Sequence, residues 1–184
     1  MNSILELDAR LSNQMRVAEK PGALRAMAVF FAHSGDSWFW AIALIALWIS
    51  GDTFWKEWAV VQFGSISVLV VVVLLIKFRV RRRRPEGEWG RIYRNTDPHS
   101  FPSGHAARAF LIATIAAGLG PGGVAVALWI WAPLVALARV AMGVHYLSDV
   151  VAGALLGILV ALVGLQVYRP LFDWLFTWSG LRLW

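Results

Sequence analysis

Three short stretches carry most of the residues of this chain that could do chemistry: KFRVRRRRP at 77–85, FPSGHAAR at 101–108 and ARVAMGVHYLSDV at 138–150. In the first, Lys77 and Arg84 are seven residues apart. On a helix that spacing returns two side chains to nearly one face. Arg81 shares the face, and Pro85 would end the helix just after Arg84. The plain alternative is a snorkelling end cap that binds lipid headgroups.

In the second stretch Ser103 is placed to be an N-cap, and Gly104 permits close backbone approach. The helix that follows would aim free N–H groups outward and favour an anion, with His105 in its first turn. An ordinary capped helix with an incidental histidine fits the same residues. In the third stretch Arg139 ends one apolar segment. His145 and Asp149 stand four apart at the start of the next, as neighbours on a helix. A carboxylate on one imidazole nitrogen fixes the tautomer and frees the other nitrogen as nucleophile or base. The alternative is a pair that staples a helix start. His33, near Asp36, reads as a loop or packing residue, and His99, in the long loop, as an exposed residue or a substrate-loop contact; neither has a partner at informative spacing.

Taken together, three cations, a helix N-terminus and two histidines suit phosphoryl transfer through a covalent intermediate. Cations stabilise charge on the equatorial oxygens. One histidine attacks phosphorus and the other protonates the leaving oxygen, while a carboxylate orients the nucleophile. No metal-ligand cluster and no cofactor are needed for this chemistry.

The elements that must position these groups are helices in a membrane. The chain has 184 residues and is 59% hydrophobic, and only 15% of it is charged. Soluble domains average about 25% charged residues. The expected class is therefore an all-α, multi-pass membrane bundle, one domain over 1–184. Segments 60–76 and 150–167 have the length and apolarity of spans. Segments 106–119 and 124–138, split by GPGG at 120–123, read as a hairpin. Segment 38–49 is a further span, and 21–32 a partial span or interfacial helix, which gives five or six spans. The first 33 residues are read as interfacial helices. Ile4, Leu5, Leu7, Leu11, Met15 and Val17 suit an amphipathic helix on the membrane surface. The same stretch carries acids early and does not read as a signal peptide. Trp55, Trp58, Trp89 and Trp174 are expected in interfacial belts.

No cysteine is present, so disulfides and thiolate chemistry are excluded. The net charge of +6 is concentrated, with eight of 17 Lys and Arg residues between Lys77 and Arg94. That pattern speaks for anionic lipid or a phosphorylated substrate, and against nucleic acid. The irregular polar loop from Arg84 to Ser103 is long enough to suggest function. Gly153 and Gly157 form a GxxxG pair that implies close helix packing. No internal repeat supports a transporter. If the helices alternate in direction, Lys77, Arg84, His105, Arg139, His145 and Asp149 all reach one membrane face.

These motifs resemble the type 2 phosphatidic acid phosphatase (PAP2) superfamily of membrane lipid phosphatases. Its first motif, Lys–six residues–Arg–Pro, matches Lys77 to Pro85. Pro-Ser-Gly-His matches Pro102 to His105. The third, Ser-Arg–five residues–His–three residues–Asp, matches 138–149, except that Ala138 stands where the family has Ser. The resemblance implies His145 as the nucleophile that forms a phosphohistidine, Asp149 as its orienting carboxylate and His105 as the general acid. It implies that Lys77, Arg84, Ser103, Gly104 and Arg139 hold the phosphate. Soluble vanadium-dependent haloperoxidases share the motif set, but the apolar composition argues against that branch.

The expected activity is removal of a phosphate from a lipid phosphate or diphosphate, with undecaprenyl diphosphate preferred. Phosphatidic acid and phosphatidylglycerol phosphate are the alternatives. The expected partners are that substrate and membrane lipids, and the oligomeric state stays open. A non-enzymatic lipid-docking protein would instead depend on Arg81, Arg82 and Arg83. On the enzyme reading, substitution of Arg82 should do little. The positive-inside rule points the Arg block to the cytoplasm. Relatives implied by the resemblance face outward, and the outer face is preferred because catalytic cations should not count as topology signals.

Overall fold

The computed structural model describes residues 2–87, 89 and 97–179. Residues 88 and 90–96, in the centre of the long polar loop, lie outside the described residues, and with them Arg91 and Arg94 of the basic block. The described residues form seven helices: α1 (Asn2–Gln14), α2 (Ala23–Ser34), α3 (Ser37–Ser50), α4 (Thr53–Val80), α5 (Gly104–Leu119), α6 (Gly122–Ala141) and α7 (Leu147–Ser179). The fold is all-α, as expected.

By length and composition, three described helices can cross a membrane: α4, α6 and α7 up to Trp178. The pair α2–α3 passes the same test together but is bent by 55° at its break, which makes up to four spans. The expected count of five or six counted α5 as a span of its own. At 16 residues, α5 rises only about 24 Å, short of the roughly 30 Å hydrocarbon core. It can be short because it is central. Ten of its residues are buried, on all sides, and it packs most extensively on α7 and α6. A helix that is apolar all round belongs inside a protein.

The GPGG turn forms as expected, with Gly120 ending α5 and Gly122 opening α6. Gly153 and Gly157 face α5 at backbone contact. A Cβ at Gly157 would sit 2.0 Å from the carbonyl oxygen of Ala107, and one at Gly153 would sit 2.5 Å from that of Ser103. The absence of side chains lets α5 and α7 approach at the level of the site. The outward faces of α4 and α7 stay apolar and exposed, as at Val71, Leu75, Leu155 and Leu159. Trp174 is exposed as a belt residue would be, but Trp58 is buried against Leu44, Ala116 and Ala125. Its indole packs in the core because α3 and α5 flank the start of α4.

α1 is amphipathic, with Ile4, Leu5, Leu7 and Leu11 exposed. Its polar side is turned inward, where Asp8 and Ser12 meet the start of α7.

Candidate active site

The helix α4 ends four residues earlier than the spacing argument required. Arg81 adopts a left-handed conformation at φ 53°, and its N–H still reaches the Lys77 carbonyl at 2.9 Å. The chain then runs extended, with Arg83 bridging His99 in an antiparallel pair. Lys77 and Arg84 therefore do not share a helix face. Extended backbone alternates its side chains with a period of two. Arg82 and Arg84 turn inward, and Arg81 and Arg83 stay exposed. Lys77 and Arg84 still converge: Lys77 Nζ and Arg84 Nη2 both donate to Asp97 Oδ2, the latter at 2.8 Å. Lys77 also donates to the His99 carbonyl at 3.1 Å.

Ser103 caps α5, its Oγ accepting from the Ala106 N–H at 3.5 Å and its own N–H donating to the Asp149 carbonyl at 2.9 Å. That second bond ties the PSGH stretch to α7. Gly104 lies near Val73 at ordinary contact distance, so its missing side chain is not demanded by protein packing.

His145 precedes α7 rather than standing on it, but it meets Asp149 all the same. Asp149 Oδ2 accepts from the Tyr146 N–H at 2.9 Å and lies 3.5 Å from His145 Nδ1. On the other side of the ring, Nε2 is 3.1 Å from Arg84 Nη1. A guanidinium only donates, so Nε2 is the accepting nitrogen and the ring proton sits on Nδ1, toward Asp149. Burial first, then the cations Arg84, Arg139 and Lys77, push the His145 imidazole well below its ordinary value near 6.5. The ring is neutral, with its free lone pair aimed at the cation cluster. Arg139 is buried at the end of α6, within electrostatic reach of Lys77, Arg84, His105 and His145.

His105 has a partner that no motif spacing announced. Its Nε2 lies 2.8 Å from Asp36 Oδ1, and Asp36 Oδ2 lies 3.1 Å from His33 Nδ1. Asp36 sits at the α2–α3 break. Arg108 braces that break by donating twice to the Gly35 carbonyl and to Ser37 Oγ at 2.6 Å. The break itself, HSGD between two apolar runs, was the available signal. It is legible as an interruption, but its partner is 69 residues away.

A cavity of about 200 Å³ joins the two kinds of environment. Lys77, Asp97, His105 and Arg108 line its polar end, and Ile66, Leu69, Val70, Val73 and Leu74 of α4 its apolar wall. A second cavity, of about 180 Å³, reaches His145 from the side of α1 and the Pro85–Glu86 segment.

The PAP2 superfamily matches residues 58–173, well over half of the chain. The chain belongs to the PAP2 superfamily. It is similar to a decaprenylphosphoryl-5-phosphoribose phosphatase from Mycobacterium tuberculosis, 34% identical over 83% of this chain and 84% of that protein. Among solved structures it resembles LpxE of Aquifex aeolicus, with a TM-score of 0.67 and 29% identity over 88% of this chain and 94% of that one. It shares its fold with a transmembrane PAP2-type phosphatidylglycerolphosphate phosphatase from Bacillus subtilis, with a TM-score of 0.74 and 21% identity over 92% and 88%. This PAP2 protein is thus a membrane phosphatase, a phosphoric ester hydrolase.

Within this PAP2 site, Arg82 departs most from its expected part as a headgroup contact. Its Nη1 donates to Asp149 Oδ1 at 2.7 Å and to Ser148 Oγ at 2.6 Å, and its Nη2 donates to Asp8 Oδ2 at 2.7 Å. Only the extended backbone after Val80, which a helical reading of the Arg run does not contain, turns this side chain inward.

Proposed function

We propose that this PAP2 protein releases the terminal phosphate of a membrane lipid through a phosphohistidine at His145. The observation that supports a lipid most strongly is the cavity whose apolar α4 wall leads to Lys77 and His105. An apolar chain along α4 would deliver its phosphate to the cations. The Asp97 carboxylate now bridges Lys77 and Arg84, and an incoming phosphate would take over that anionic position.

In the first step His145 Nε2 attacks phosphorus and the bond to the leaving oxygen breaks. His105 gives that oxygen a proton, with Asp36 stabilising the imidazolium beforehand. Lys77, Arg84, Arg139, Ser103 and the Gly104 N–H hold the phosphoryl oxygens. Asp149 stabilises the positive charge that develops on His145. In the second step water attacks the phosphohistidine, His105 takes the water proton, and phosphate leaves with His145 restored.

Within this class we favour a polyprenyl-linked phosphate. Undecaprenyl diphosphate is the substrate first expected, and the mycobacterial relative adds a polyprenylphosphoryl-phosphoribose. A phosphate-release panel of these two with phosphatidic acid and phosphatidylglycerol phosphate tests the choice. Equal rates on all four lipids would sink the preference, and no release from any would sink the activity.

We place the site on the outer face of the membrane. Lys77, Arg82 and Arg84 are engaged in internal ion pairs, which removes three charges from the topology signal. Because the chain has no cysteine, a single Arg83→Cys variant can be probed with an impermeant maleimide on intact cells. Protection from the reagent would reverse the assignment.

A further inference from the structure

We infer that Arg82, clasped by Asp8 of α1, is a positioning residue for Asp149, and that the surface helix α1 is thereby a working wall of the active site. The inference rests on the proposed roles of His145 and Asp149. The carboxylate of Asp149 is fully buried. Its Oδ2 serves the Tyr146 N–H and faces His145 Nδ1, and its Oδ1 is held by Arg82. A carboxylate held at both oxygens cannot rotate about its bond to the chain. Arg82 therefore sets the direction in which Oδ2 presents itself to the histidine.

Arg82 is itself fixed on three sides. Its guanidinium lies over the Tyr146 ring, 4.1 Å from the centroid. It reaches Ser148 Oγ, and beyond it Asp8 of α1. Asp8 also accepts from the Ser148 N–H at 3.0 Å and from the Ser148 hydroxyl. Ser12, one helical turn on, accepts from the Leu147 N–H at 2.8 Å. The first turn of a helix has N–H groups without partners inside the helix. Here α1 supplies two of those partners across more than 130 residues of sequence. The Asp8 capping contact and the Arg82 clasp share one carboxylate, so α1 cannot leave α7 without freeing Arg82 from Asp8.

The same helix borders the route to the nucleophile. Ser12 and Asn13 of α1, with Arg16 just past its end, line the cavity that reaches His145. Arg16 also donates to the Glu86 carbonyl at 2.7 Å, which ties α1 to the segment that follows Arg84. A cation that served only lipid headgroups would need none of these contacts, and Arg79, which is exposed, has that simpler setting.

The test uses the full chain in detergent micelles, with the lipid of the panel that the wild type turns over fastest. Arg82→Gln is expected to lower kcat about 10–100-fold with KM within about threefold, the signature of an interaction that matters in the transition state. Asp8→Asn should lower kcat about 3–10-fold, and the double variant should be no worse than Arg82→Gln alone, because the two act through one network. Arg82→Lys should recover part of the loss, and Arg79→Gln should match the wild type. A raised KM at unchanged kcat would make Arg82 a headgroup contact and overturn the inference, as would full additivity of the two losses. If Arg82→Gln does not fold, Asp8→Asn, which keeps the Arg82–Asp149 pair, decides alone: unchanged kcat overturns the inference. A His145→Ala variant that still turns over would instead refute the proposed function. A dead His145→Ala beside a normal Arg82→Gln removes only the positioning role.

Discussion

His145 and His105 each face a carboxylate, yet the two carboxylates come from different distances along the chain. Asp149 is four residues from His145, in the first turn of the helix that His145 precedes. Asp36 is 69 residues from His105 and sits at the break between α2 and α3. The surroundings differ as well. His145 is buried and ringed by cations, and its ring is neutral. His105 keeps 19% of its side chain exposed, and its carboxylate is shared with the half-exposed His33. On the proposed mechanism a nucleophile needs a free lone pair, and the cations around His145 preserve one. Beside His105, Asp36 favours the protonated ring that a general acid needs, against the burial and the nearby cations that oppose it.

The largest effect is expected from His145→Ala. Loss of a nucleophile removes the covalent route, so phosphate release should fall by on the order of 10³-fold or more. Turnover near wild type would end the distinction between the two histidines. Asp36→Asn comes next. It keeps the shape of the carboxylate but withdraws its charge from His105. Because general acid catalysis contributes about 10²–10⁴-fold, losing the charge that supports it should cost roughly 10–100-fold in kcat. An unchanged rate would leave His105 without need of its partner.

Acid tests the neutral state of His145 more gently. The folded value of His145 lies below the unfolded one, so between the two values the unfolded chain binds the extra proton. Stability should then fall as pH drops below about 6.5 and go on falling until the folded value is reached. The thermal midpoint of the wild type should decline more steeply from pH 7 to pH 5 than that of His145→Asn. Parallel declines would show that His145 is not held neutral. The smallest effect belongs to Arg79→Gln, an exposed cation of the same block, which should change kcat and KM less than twofold by the usual behaviour of exposed charges.

What the sequence made legible follows the same division. Groups whose partners are close in the chain could be read: the Ser103 cap, the His145–Asp149 pair, the turn at 120–121 and the tight glycines of α7. The Arg block was harder. Its charges were obvious, but their facing depends on whether the backbone after Val80 is helical or extended. A left-handed Arg81 decides that, and arginine has no strong preference that would announce it. Asp36, Asp97 and Asp8 could not be assigned because their partners are set by how helices pack. The inward polar face of α1 escaped for a related reason. An amphipathic pattern says that two faces differ, and the apolar one is assigned to protein or to lipid only when the neighbours are known.

Val70 and Leu74 line the groove along α4 and are also exposed on the outward side of the helix, so a substrate would arrive sideways, within the leaflet. The quantity that saturates such an enzyme is the mole fraction of substrate among the surrounding lipids, a density in two dimensions, rather than molarity in water. Diluting the micelles with inert detergent at fixed protein and substrate should slow the reaction, while diluting the whole mixture with buffer above the critical micelle concentration should leave turnover per enzyme nearly unchanged.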